Sequence, residues 1–194
     1  MYLPEWMALR YPDISTSSNL NKYSSLFKIK ESDTLGAWYE GPQEWTSIGS
    51  KLIESNQLKF KLINFKTEKD LINAFLNADQ NQTAFIGYWW TPHFLNAQLP
   101  LVRVNFPEND WSTTEEASGE TDYPAVVLMK LASNQLMESE SPLLNLATNF
   151  QWSNEDQNHV AAQIEVAIEP SEAAKSWVNS NEEKVKNWLQ AKEK

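Results

Sequence analysis

The chain has 194 residues, 16 basic and 26 acidic, with a formal net charge of −10, no Cys and only two His. Such acidity argues against nucleic acid or an anionic membrane surface as partner, since both select a basic face. Disulfides, thiol catalysis, Cys-based zinc and multi-histidine metal centres are excluded by composition, and no apolar run approaches the ~20 residues that span a bilayer. Apolar residues make up 41% and charged residues 22%, as in a folded protein of one domain or two small lobes.

Taken in order, the opening residues lack the basic and apolar pattern of a secretion signal. Residues 19–27 place Leu20, Tyr23 and Phe27 on one helical face, and residues 36–39 read as extended. Gly41-Pro42 turns the chain into a predicted helix over residues 44–56, with Trp45, Ile48, Leu52 and Ile53 at helical period. Residues 60–65 alternate like a strand. Thr67 and Asp70 form a capping box for a helix that buries Leu71, Ile72, Phe75 and Ala78. Residues 83–90 (TAFIGYWW) read as a buried strand, and residues 101–106 as another. The polar, acidic stretch 108–121 is the best linker; its Glu115, Glu116 and Glu120 read as solvated surface. Residues 125–131 look strand-like, Ser141-Pro142 opens a short helix, and residues 153–168 are helical, with His159 on the outside. A helix follows Pro170, breaks near Ser180, and resumes under a cap from Ser180 and Glu183. The pattern is mixed α/β.

Nine Trp stand out. Trp has few rotatable bonds and serves as core, sugar platform or wall of a cation cage. Trp177 and Trp188 fall on apolar helix faces, and Trp152 precedes a helix cap like a hydrophobic staple, so these read as structural. Trp6, Trp38 and Trp111 are ambiguous.

Two stretches carry candidate chemistry. In the first, Trp45 sits at the opening of the predicted helix, beside the backbone N–H groups of Thr46 and Ser47. Free amides and a positive helix end attract a carboxylate, while the indole attracts a cation, so one turn offers both ends of a small zwitterion. On periodicity alone, Trp45 is read instead as leading the buried Ile48/Leu52 face. The second is Tyr88-Trp89-Trp90-Thr91-Pro92-His93. Alternation puts Tyr88 and Trp90 on one side and Trp89 on the other, one side being core and the other free to line a cleft. His93 is either a ligand contact or a local backbone cap. No GxSxG, Walker loop or GxGxxG occurs, so no catalytic residue, cofactor or metal is assigned.

Several segments together resemble the substrate-binding proteins of glycine betaine/choline/proline ABC transporters. Tyr2-Leu3-Pro4-Glu5-Trp6 with Tyr11-Pro12-Asp13-Ile14 is similar to that family's opening stretch, and Asn21-Lys22-Tyr23 with Leu26-Phe27 to the next. Gly36 through Gly41-Pro42 and Trp45, and Trp90-Thr91-Pro92-His93, resemble its two ligand motifs. Ser171-Glu172-Ala173-Ala174 through Trp177, then Val185 to Leu189, resembles its closing segment.

The resemblance implies a periplasmic-binding-protein-like (type II) α/β fold. Residues 1–98 would be mainly lobe 2, and residues 99–194 the returning strand, linker and C-terminal helices of lobe 1. It implies a non-enzymatic, extracytoplasmic or periplasmic protein that holds a quaternary-ammonium osmolyte (glycine betaine, choline or proline betaine) and serves an ABC permease. It also implies that Trp45 and Trp90 are cage walls, with Tyr88 beside them, that Thr46 and Ser47 receive the carboxylate, and that His93 belongs to the site. Family members carry a further N-terminal segment, so the chain is read as a fragment, and self-association through uncovered apolar surface is an expectation. Two other readings remain: a carbohydrate- or aromatic-ligand-binding module, and a non-catalytic interaction domain with structural Trp.

Overall fold

A computed structural model describes residues 1–108, 118–123, 126–139 and 141–190. The chain divides into two compact units, residues 1–90 with 99–125, and residues 91–98 with 126–194.

The first unit is built on short strands. β1 (Tyr2–Pro4) leads into α1 (Glu5–Arg10). The predicted helix at 19–27 is a run of short turns, α2 (Leu20–Tyr23) between 3-10 segments Ser17–Asn19 and Ser24–Phe27, and it buries Leu20 and Phe27 as its spacing requires. β2 (Gly36–Glu40) is joined through α3 (Gly49–Ser55) to β3 (Phe60–Asn64), which pairs with it in parallel from Gly36↔Phe60 to Glu40↔Asn64. α4 (Glu68–Gln80) follows; the Thr67 hydroxyl oxygen accepts the Asp70 N–H at 3.1 Å, and Leu71, Phe75 and Ala78 are buried. β4 (Leu101–Arg103) pairs antiparallel with β1, from Tyr2↔Arg103 to Pro4↔Leu101.

Residues 83–90 run between these two strand pairs but do not form the full strand their pattern predicts. Their backbone bonds to the strands centre on Gly87. Gly87 exchanges both backbone hydrogen bonds with Tyr2 (2.8 and 3.0 Å), while Tyr39 donates to the Ile86 carbonyl and accepts from the Tyr88 N–H. A Cβ at Gly87 would lie 2.7 Å from the Phe85 ring and 2.9 Å from Phe75, so the crossing requires glycine. Trp38 is fully buried and meets Phe60 and Phe106 edge-on at 5.9 and 6.2 Å. Leu3, Met7, Ile14, Leu52, Ile86 and Val104 complete that core, and Trp6 packs half-buried against it.

Three further predictions are corrected. The helix expected over 44–56 begins only at Gly49, because Gly41-Pro42 starts a turn closed by the Trp45 N–H on the Pro42 carbonyl (3.0 Å). The strand expected over 101–106 ends at Arg103. Residues 126–131 form no strand: no described strand pairs with them, and Val126, Val127, Leu128, Met129 and Leu131 are 70–95% exposed. Of the linker stretch, residues 109–117 lie outside the described residues, Trp111, Glu115 and Glu116 among them. Its end is docked, since the Asn56 side chain donates to the Gly119 carbonyl at 2.9 Å.

The second unit is helical: α5 (Leu95–Gln98), α6 (Asn134–Met137), α7 (Pro142–Asn149), α8 (Asn154–Glu165), α9 (Pro170–Ser180) and α10 (Glu182–Leu189). Its core is Val160, Ala173, Trp177 and Trp188, with Phe150 and Trp152 packed on it. Trp177 and Trp188 stack at 5.6 Å and 10°, and Trp152 meets Trp177 edge-on at 5.5 Å. The Lys184 ammonium lies 5.3 Å from the Trp177 ring and pairs with Asp156. Asp156 also closes the capping box with Ser153 and accepts the Trp177 indole N–H at 3.2 Å. Burial works to raise the Asp156 pKa, but the Lys184 and Ser153 hydrogen bonds outweigh it and bring it down to about 2. The cap predicted for α10 is absent. Ser180 is the last residue of α9, and the Asn181 side chain at the N-cap position donates to the Trp177 carbonyl instead.

Candidate functional site

The first unit brings three of the predicted side chains together. Trp45 stands at 79° to Trp90 with ring centroids 5.3 Å apart; Tyr88 lies 6.2 Å from Trp45 and 5.9 Å from Trp90. All three are half-buried. The alternation expected of TAFIGYWW holds only in part: Gly87 is the bridging residue, but the Trp89 and Trp90 rings stack on each other at 4.5 Å and 30°. Trp89 is buried against Phe75 at 5.6 Å, while Tyr88 and Trp90 face Trp45.

Trp45 is placed by its turn. Its ring lies over Gly41, where a Cβ would come within 2.2 Å of it, and the Asn64 side chain holds the Gly41 carbonyl at 2.9 Å. The amides of Thr46 and Ser47 follow immediately, and no acceptor among the described residues takes them. Thr46 is exposed and Ser47 half-buried. These amides belong to a loop and not to a helix end, so they offer N–H donors without a macrodipole behind them.

His93 falls in the second unit. Its backbone N–H donates to Asn158 Oδ1 at 2.7 Å, and its Nδ1 accepts the Leu95 N–H at 3.1 Å. It caps α5, which was one of its two expected roles.

Two residues of this neighbourhood were not expected from the sequence. The Tyr123 hydroxyl accepts the Ile48 N–H at 2.9 Å, and its ring packs on Tyr88 at 5.3 Å. Glu40, 1% exposed, accepts the Trp38 indole N–H at 3.1 Å. Burial raises the Glu40 pKa above the usual carboxylate range, against smaller lowering from Trp38 and Ser47. Burial likewise raises that of Tyr123. The signal for Glu40 was available, since it stands two residues from Trp38 in a strand and therefore on the same face. Tyr123 follows the acidic stretch and carries no local signal.

Residues 1–180 match the family described as the substrate-binding domain of ABC-type glycine betaine transport system, OpuAC. The glycine betaine/carnitine transport binding protein GbuC of Listeria monocytogenes serotype 1/2a (strain 10403S) is 27% identical over 105 residues, which cover 54% of this chain and 31% of that protein. The crystal structure of lactococcal OpuAC, closed and complexed with glycine betaine, matches with a TM-score of 0.56 at 15% identity, over 97% of this chain and 65% of that one. The chain thus spans about a third of the curated relative and just under two thirds of the solved one. The fold is α/β and periplasmic-binding-protein-like, part of the two-lobed type II form. The family's members bind solutes and are not enzymes. The chain belongs to the OpuAC family of ABC-transporter substrate-binding domains.

Proposed function

We propose that this chain captures a quaternary-ammonium osmolyte, glycine betaine, choline or proline betaine, for delivery to an ABC permease on the periplasmic or extracytoplasmic side. Most of residues 1–98 then form one lobe, and residues 99–194 contribute the returning strand, linker and helices of the other. The observation that carries the reading is the half-buried Trp45–Tyr88–Trp90 cluster beside the amides of Thr46 and Ser47, which meet no acceptor among the described residues.

A quaternary ammonium has no N–H to donate, and its charge is spread over methyl groups, so a carboxylate cannot hydrogen-bond it. An electron-rich ring face attracts it by ~1–2 kcal/mol when water is excluded. Ring planes close to perpendicular present faces from different directions, as a wall and a floor. Thr46 and Ser47 would receive the carboxylate of a betaine. His93 stands in the proposal through the resemblance of Trp90-Thr91-Pro92-His93 to the family motif. No described helix is long and apolar enough to cross a membrane.

Calorimetric titration of the full chain with glycine betaine, choline, carnitine and proline betaine tests this. A saturable response to at least one, lost in Trp45→Ala and Trp90→Ala, is expected. Silence toward all four at millimolar concentration, with an intact circular dichroism spectrum, overturns it. Heat from oligosaccharides alone would point to a sugar platform instead.

A further inference from the structure

Beneath the Trp45 turn lies a polar arrangement that no ligand contact explains. Glu40 ends β2 with its carboxyl in the core: Oε1 takes the Trp38 indole N–H, and Oε2 has no hydrogen-bond partner among the described residues. Room for this carboxyl exists only because residue 49 is glycine; a Cβ there would lie 2.0 Å from Oε1. The Gly49 N–H donates to the Ser47 hydroxyl oxygen at 3.3 Å, and Ser47 in turn lies beside Glu40. One residue earlier, the Ile48 N–H is taken by Tyr123, which arrives from a distant part of the chain. The loop carrying Trp45 therefore starts from the end of β2, and its far end, Ser47 to Gly49, is held by the Glu40 carboxyl and the Tyr123 hydroxyl. Its middle has one internal bond, Trp45 N–H to Pro42. A buried carboxyl and a half-buried phenol are costlier placements than a leucine and a phenylalanine would be.

We propose that Glu40 and Tyr123 are positioning residues that hold the 41–48 loop, and with it the Trp45 indole and the Thr46 and Ser47 amides, in a fixed shape. Neither touches the ligand. Tyr123 acts twice, through its hydroxyl on Ile48 and through its ring on Tyr88, so that the two sides of the aromatic cluster share one support. This rests on the ligand reading above, and the test separates the two.

The test uses Glu40→Leu, Glu40→Gln and Tyr123→Phe in the full chain. Two quantities are read: exchange of the Trp45 amide by NMR, with Phe75 in α4 as internal reference, and affinity for glycine betaine by calorimetry. Neither replaced side chain bonds the Trp45 amide, so its exchange reports the loop and not the lost contact. Exchange at Trp45 is expected to quicken about tenfold in Tyr123→Phe and Glu40→Leu, with Phe75 unchanged and affinity falling by a similar factor. Glu40→Gln, which keeps an acceptor for Trp38, is expected to behave as the parent. Should Glu40→Leu fail to fold, Tyr123→Phe decides alone, since it removes one oxygen and keeps the ring. Unchanged Trp45 exchange in Tyr123→Phe overturns the proposal, and so does faster exchange with unchanged affinity. Faster exchange in a chain whose parent form binds no betaine supports the scaffold and overturns the ligand reading.

Discussion

Trp45 and Trp90 meet at 79°, edge toward face, although they stand 45 positions apart in the chain. One is set by a Gly-Pro turn, the other by the phase of an extended segment. Removing either indole should weaken glycine betaine binding about tenfold or more, the worth of one desolvated cation–π wall. The folded state should survive, because both rings are only half-buried. Calorimetric affinity beside a thermal melt checks both halves of the expectation.

Gly41→Ala separates the site from the fold. The new Cβ would lie 2.2 Å from the Trp45 ring, which must swing away. That ring is partly exposed and can move, so the cost to stability should stay within about 1 kcal/mol while betaine affinity drops. Gly49→Ala meets the buried Glu40 carboxyl and cannot relax so easily; about 1–3 kcal/mol of stability should be lost. Thermal melts of the two variants rank them.

Acid should weaken the second unit through Asp156. Its folded pKa of about 2 lies below its ordinary value of 3.8, so its stabilisation is present above the ordinary value and is lost as pH falls toward about 2. Asp156→Asn should destabilise the unit near neutrality and flatten this acid limb. Melts followed by near-ultraviolet circular dichroism from pH 2 to 6 test it.

Glu40 has the opposite sign. Its folded pKa is raised, so stability is highest below the unfolded value and declines as pH rises through the folded one. Glu40→Gln should abolish that decline without a loss at low pH. The same melts continued to neutral pH measure it.

Much of this was legible from residue spacing. The Thr67 cap, the Leu71/Phe75/Ala78 face, the β2 and β3 strands and the structural roles of Trp177 and Trp188 follow from local pattern. The burial of Trp89 and the approach of Tyr88 and Trp90 to Trp45 follow in part from alternation, but the stacking of Trp89 on Trp90 does not. The failures have a shared cause. Trp45, Ile48 and Leu52 keep helical period, yet Tyr123 takes the Ile48 amide and the Pro42 carbonyl takes that of Trp45, so the helix starts late. Residues 126–131 have strand composition but no described partner, and strand pattern without a partner leaves an exposed segment. Both outcomes turn on contacts distant in sequence.

The bridge between Tyr2 and Gly87 has a consequence for insertions and deletions. The placing of the aromatic run depends on parity: an odd shift of Tyr88-Trp89-Trp90 relative to Gly87 would keep every atom of the run yet change which ring packs on Phe75. An even shift would restore the sides but move the rings along the segment. A single residue inserted between Gly87 and Tyr88 is therefore a frameshift at the level of the sheet. It leaves hydrophobicity nearly unchanged while bringing Trp89 to the position that faces Trp45 and Tyr88 to the one that faces Phe75.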